Sequence, residues 1–80
     1  MSPAPTLADL PVGSRAIIRS LPTGRPGLTR LRELGLVPGT CVKVVRRAPL
    51  GEPIEIALRG SHISMRNHEA AFIEISPLGA

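Results

Sequence analysis

Apolar residues alternate with polar ones along most of this chain, and a period of two predicts short β-strands. The clearest segment is residues 54–59, in which Ile54, Ile56 and Leu58 face inward. Turn residues such as Gly and Pro separate it from similar segments that are rich in β-branched residues. The predicted strands are residues 15–20, 40–47, 54–59, 62–66 and 71–75. Residues 67–69 are predicted to form a turn or a single 3₁₀ turn.

The same alternation predicts which side chains of the other strands face inward. These are Val42, Val44, Ile63, Met65, Ala71, Ile73 and Ile75. Cys41 falls on the opposite face of the second strand, where we expect a half-buried thiol that behaves as a small hydrophobe.

One segment has a helical period instead. Leu28, Leu31 and Leu34 recur every three residues and form a single apolar stripe on a helix. Gly35 follows where a helix end needs a left-handed residue, and Leu36 could fold back onto the last turn. The sequence therefore predicts one short helix between the first and second strands.

Five short strands with short connections favour antiparallel neighbours that curl into a small barrel. We expect a mostly β fold: a five-stranded antiparallel barrel with one short helix. Residues 1–80 are interpreted as a single domain with an ordered core of about residues 6–76.

Composition excludes several kinds of protein. The longest apolar run is four residues, so no segment inserts into a membrane. No secretory signal opens the chain, and the single cysteine, Cys41, cannot form an internal disulfide, which indicates a cytoplasmic protein. Phe72 is the only aromatic residue, too few for stacking nucleic-acid bases or for lining a groove for proline-rich peptides.

Two stretches resemble a known family. Residues 34–39 read Leu-Gly-Leu-Val-Pro-Gly and residues 48–54 read Ala-Pro-Leu-Gly-Glu-Pro-Ile; Arg66 and residues 69–73 follow at a matching distance. This order is similar to the FeoA family, small cytosolic accessory proteins of bacterial ferrous iron transport. The resemblance implies an SH3-like barrel whose partner is the cytosolic GTP-binding domain of the FeoB permease, or the permease assembly as a whole. The module also resembles the C-terminal domain of some metal-dependent repressors.

No residues of the chain suggest catalysis or a bound cofactor. His62 lies beside two serines, but no carboxylate is placed to orient its imidazole. The chain has no phosphate-binding glycine loop. The residues that could ligate a metal lack the spacing of three or more converging ligands; they are Cys41, Glu52, Glu55, His62, His68 and Glu69. We predict no enzyme activity, no cofactor and no metal site.

Apolar residues in turns give the better indication of function. A hairpin tip is normally polar, yet Pro49 and Leu50 lie there, and Leu36 and Val37 follow the helix. An apolar patch rimmed by arginine, here Arg32 and Arg66, is typical of a protein-docking surface. Two structural alternatives stay open: that Leu36 only staples the helix end, and that Leu50 folds over the open end of the barrel.

The sequence thus predicts a non-enzymatic accessory protein that docks onto the FeoB-type permease through Leu36, Val37, Pro49, Leu50, Arg32 and Arg66. A nucleic-acid-binding barrel is the main alternative because the net charge is +4, although the basic residues are scattered. A stand-alone domain of a metal-dependent regulator is another. Whether the chain associates weakly with itself is left open.

Overall fold

The computed structural model describes residues 5–78, which form five strands, two short helices and a 3₁₀ turn. The predicted domain ends, residues 1 and 80, lie outside the described residues. The elements are a 3₁₀ turn Leu7–Asp9, β1 Arg15–Ser20, α1 Pro26–Glu33, β2 Cys41–Arg47, β3 Ile54–Leu58, β4 Ser61–Met65, α2 Asn67–Ala70 and β5 Glu74–Pro77. Neither helix is long enough or apolar enough to cross a membrane.

The strands form one antiparallel sheet in the order β4-β3-β2-β1-β5. This confirms the mostly β, five-stranded antiparallel prediction. The expected closure is absent, since β4 and β5 do not pair with each other within residues 5–78. In the chain α2 lies between these two strands, and no tight hairpin joins them.

Residues 5–7 cover the outer edge of β5. The Leu7 N–H donates to the Ile73 carbonyl at 2.9 Å, and Thr6 forms an antiparallel bridge with Glu74. An uncovered strand edge invites pairing with another chain. This N-terminal segment therefore protects the edge where β5 begins.

The inner face of the sheet is aliphatic, as the alternation predicts. The predicted inward residues of β2, β3 and β4 are all buried: Val42, Val44, Ile54, Ile56, Leu58, Ile63 and Met65. The last strand differs from its prediction. It begins at Glu74, because residues 67–70 form a short α-helix rather than a turn or a 3₁₀ turn, and Ala71 is exposed at the end of that helix. Ile73 and Ile75 are buried as expected.

The helix prediction holds, with a shift at each end. α1 begins at Pro26, whose ring suits the first helical position. Gly35, at φ +109°, donates to the Arg32 carbonyl at 3.0 Å, and the Leu36 N–H donates to the Leu31 carbonyl at 3.0 Å. These two bonds form the Schellman arrangement. Leu34 caps the helix and is half exposed, so the predicted stripe loses its third leucine.

A β-bulge at Val45 changes the facing of the two arginines that end β2. The register pairs Val44 with Ile56 but Arg46 with Glu55, so Val45 is the extra residue. A bulge re-aims the side chains that follow it. Arg46 is therefore exposed, and Arg47 is half-buried at the end of the inner face.

Arg47 joins three parts of the fold. Its Nη2 donates to the carbonyls of Ala8 at 2.8 Å and Leu10 at 3.0 Å, and its Nη1 donates to the Asn67 side-chain oxygen at 3.3 Å. Hydrogen bonds from charged donors are stronger than neutral ones. The single guanidinium thus ties the 3₁₀ turn and the start of α2 to the sheet.

Replacing Arg47 by Met should lower the free energy of unfolding by about 1–3 kcal/mol, because the backbone carbonyls of Ala8 and Leu10 lose their half-buried donor. Urea titration measures this loss. Arg46→Met is the matched control because Arg46 is exposed on the neighbouring position. Equal stability of the two variants would show that the Arg47 contacts contribute nothing.

Candidate protein-docking surface

The hairpin between β2 and β3 presents Leu50 on a well-defined turn. The Gly51 N–H donates to the Ala48 carbonyl at 2.8 Å, which closes a four-residue turn. Pro49 and Gly51 occupy the positions of that turn that favour proline and glycine. Leu50 lies between them and is 95% exposed. It does not fold over the barrel, so that alternative is wrong.

Glu52 fastens the hairpin tip to α2. Its Oε1 accepts the Asn67 N–H at 3.0 Å, and its Oε2 lies 3.4 Å from Arg66 Nη1. These contacts attach the β3 side of the hairpin tip to the start of α2. Leu50 is presented in a fixed orientation rather than on a free loop, which reduces the entropy lost on binding.

The structure brings three of the six predicted docking residues together. Pro49 and Leu50 form the exposed tip, and Arg66 is joined to it through Glu52, with 67% of the Arg66 side chain exposed. We call Pro49, Leu50, Glu52 and Arg66 the hairpin patch. It has an apolar centre with one carboxylate and one guanidinium at its rim.

The other two predicted apolar residues lie elsewhere. Leu36 is fully buried, because it closes the helix end, so its side chain cannot reach a partner. Val37 is half-buried beside it. A Cβ at Gly35 would lie 3.8 Å from Leu58, so this helix end contacts the end of β3 farthest from the hairpin tip. The predicted patch is therefore divided between the two ends of the barrel.

Arg32 has an internal role in the structure. Its Nη2 donates to the carbonyls of Leu21 at 2.9 Å and Pro22 at 3.2 Å. The side chain is half-buried and holds the loop that precedes α1. It does not join the hairpin patch.

The potential metal ligands do not converge. Among residues 5–78 no three side chains of His, Cys, Asp or Glu lie close enough to hold one ion. Cys41 is exposed rather than half-buried, because Val42 and Val44 take the inner face and leave it on the outside. His62 and His68 are exposed, on β4 and α2 respectively.

A contact that the sequence analysis missed lies at the other side of α2. The Arg25 guanidinium lies over the Phe72 ring, 3.8 Å from its centroid. Phe72 precedes Ile73, which was predicted to face inward, so alternation places the Phe72 ring on the outer face. A large apolar ring at an outward position is the sequence feature that could have indicated this contact. Phe72 is 41% exposed.

The contacts that hold the hairpin tip also change the pKa of Glu52. The hydrogen bond from the Asn67 N–H, and then the charge of Arg66, hold the pKa of the Glu52 carboxyl below its usual value, against an opposing effect of desolvation. A carboxyl with a lowered pKa in the folded state stabilises the fold above its unfolded pKa. That stabilisation is lost as the pH falls through the folded value.

We therefore expect the melting temperature of the wild type to exceed that of Glu52→Gln at pH 7. The difference should shrink as the pH falls through about 4.5, where the unfolded carboxyl is half protonated, and vanish well below the folded pKa. Thermal melts from pH 7 to pH 2.5 measure it. A difference that stays constant with pH would show that the Glu52 charge plays no part.

Residues 6–77 match the model of the FeoA domain. The solution structure of the FeoA protein from Chlorobium tepidum is 41% identical, with a TM-score of 0.84 over 92% of this chain and 70% of that one. The crystal structure of Stenotrophomonas maltophilia FeoA complexed with zinc, described as a prokaryotic SH3 domain protein, is 31% identical, with a TM-score of 0.76 over 91% of each chain. These structures confirm the SH3-like prediction.

A curated relative links the same module to a transporter. The Fe(2+) transport protein A/Fe(2+) transporter FeoB fusion protein of Porphyromonas gingivalis is 32% identical over 69 residues. The alignment covers 86% of this chain but only 8% of the fusion protein. With the family model spanning residues 6–77 and two solved FeoA proteins sharing its fold, the chain belongs to the FeoA family, an accessory family associated with ferrous iron transport.

Proposed function

We propose that this chain is a non-enzymatic cytosolic accessory protein that docks onto the cytosolic GTP-binding domain of a FeoB-type permease. The observation that carries the proposal is Leu50, 95% exposed at the tip of a turn that two internal contacts of Glu52 hold in place. The fusion protein of Porphyromonas gingivalis supports the choice of partner, because in it the two proteins form one polypeptide.

An exposed leucine on a rigid turn suits docking better than it suits stability. Burying a leucine side chain contributes about 1.5–3 kcal/mol, and Leu50 makes almost none of that contribution in the free protein. A preformed turn loses little conformational entropy when a partner covers it. Arg66 and Glu52 at the rim supply charges that fix orientation.

Docking acts on the permease through affinity alone. A protein without catalytic groups can shift its partner's equilibrium only by binding one state more tightly than another. The states in question are the conformations or assemblies that the permease adopts during its nucleotide cycle. If one state of the permease has an apolar pocket that fits Leu50, the chain binds that state more tightly and its population increases.

Co-purification tests the proposal. The tagged full-length chain is used to capture the permease from cells that contain both proteins, in the presence of GDP, of a non-hydrolysable GTP analogue, or of neither. We expect capture, and we expect its yield to differ between the nucleotide states. Absence of capture in all three conditions would refute the proposal.

A further inference from the structure

A groove between α1 and α2 has more basic than acidic side chains in its lining. Two adjoining depressions, of about 590 and 380 Å³, share His68 and Glu69 in their walls. The first runs between the start of α1 and Phe72; the second lies beside Arg30 and the end of β4. We call the two together the α1–α2 groove.

The groove is basic. Arg25, Arg30 and Arg66 line it together with His68, against one carboxylate, Glu69. That carboxylate is already engaged: its Oε1 accepts the Arg66 N–H at 3.0 Å. Its Oε2 faces Gly27, where a Cβ would approach to 2.5 Å, so the glycine makes room for it.

Two of the three arginines are not paired with a carboxylate in the part of the chain that the structure describes. Within residues 5–78 the ion pair Arg66–Glu52 is the one formed, and Arg25 and Arg30 have no carboxylate within 4 Å. The Arg25 guanidinium carbon lies 3.8 Å from the centroid of the Phe72 ring, a cation–π contact that restrains the side chain and leaves N–H groups of the guanidinium available. A guanidinium held in this way is suited to a carboxylate, which it can bind with two parallel hydrogen bonds.

We propose that the α1–α2 groove binds an acidic peptide segment, with carboxylates on Arg25 and Arg30 and apolar side chains against Phe72 and Pro53. The lining favours a peptide over nucleic acid, because one aromatic residue with the Arg25 guanidinium over its ring cannot stack successive bases, whereas the 41% of Phe72 that stays exposed can still contact an apolar side chain. The groove shares Arg66 with the hairpin patch but does not include Leu50, and the two arginines proposed to bind carboxylates, Arg25 and Arg30, lie outside that patch. The proposal therefore goes beyond the permease docking and does not depend on it.

Fluorescence anisotropy with the full-length chain tests the proposal at physiological salt. The probes are a short fluorescein-labelled peptide in which Glu alternates with Leu and Pro, the same peptide with Lys for Glu, and a short oligothymidylate. We expect the acidic peptide alone to bind. The double variant R25E/R30E should weaken it at least about tenfold, and Phe72→Leu should weaken it to a smaller extent.

The matched control is R19E/R46E, which makes the same change in net charge at two exposed strand positions outside the groove. It should change binding less than about twofold. Equal losses in the two double variants would overturn the proposal, since general charge would then explain the binding. Failure of the acidic peptide to bind, or tighter binding of the oligothymidylate, would also overturn it. None of these results requires the permease, so they are independent of the proposed docking.

Discussion

Replacing Ile56 by Ala is expected to destabilise the domain by about 2–5 kcal/mol, because the substitution leaves a cavity in the centre of an aliphatic core. Ile56 is fully buried on β3, the strand between β2 and β4, and faces Val44 on one side and Ile63 on the other. A domain of this size has a net stability of about 3–5 kcal/mol. The variant should therefore be largely unfolded at 37 °C.

Ile17→Ala is the matched control for this prediction. It removes the same atoms from the outer face of β1, where Ile17 is half-buried opposite Cys41. Urea titration monitored by circular dichroism should show less than about half the loss seen for Ile56→Ala. Unfolding curves of Ile56→Ala and the wild type that coincide would mean that the inner face has been assigned incorrectly.

Replacing Leu50 by Asp should weaken permease binding by about a hundredfold. The variant loses about 1.5–3 kcal/mol of apolar burial and adds the cost of desolvating a carboxylate. The fold should be unaffected, because the side chain is 95% exposed in a turn. Isothermal titration of the full-length chain with the cytosolic domain of the permease gives the ratio of Kd values, and thermal melts confirm the fold.

Leu34→Asp provides the comparison at the other end of the barrel, because Leu34 is half exposed at the end of α1. It should bind the permease as the wild type does. If Leu34→Asp lost binding and Leu50→Asp kept it, the docking surface would lie at the helix end instead of the hairpin patch. Equal losses in both variants would indicate a general effect of negative charge.

The sequence predicted those parts of the fold that depend on neighbouring residues. Alternation places Ile54, Ile56 and Leu58 inside because successive strand residues face opposite ways. Gly35 marks the helix end because it is needed at a positive φ, whatever the rest of the chain does. Such features need no knowledge of distant contacts.

Features set by contacts between distant residues could not be predicted in this way. The bulge at Val45 breaks the alternation and re-aims Arg47 toward carbonyls nearly forty residues away in the chain. Phe72 and Arg25 are also far apart in sequence and meet only in the folded protein. The hydrophobic period describes one strand at a time, so it does not predict contacts between residues that are distant in the sequence.

The prediction of the candidate docking surface was incomplete for the same reason. An apolar residue in a turn can be exposed or can fold onto the core, and the sequence does not distinguish the two. Leu50 is exposed because its turn and Glu52 point it outward, whereas Leu36 is buried because the helix cap turns it inward. Arg32 was predicted to lie at the rim of the docking surface, but its side chain donates hydrogen bonds to the loop that precedes its own helix.

Mapping the contact directly on the labelled protein tests the central claim, that this FeoA protein docks through the hairpin patch. The cytosolic domain of the permease is titrated into ¹⁵N-labelled full-length chain while amide signals are recorded. We predict the largest shifts or losses of signal at Leu50, Gly51, Glu52 and Arg66, with the helix end around Leu34 unchanged. No change in any signal, or changes centred on Leu34 and Val37, would contradict it.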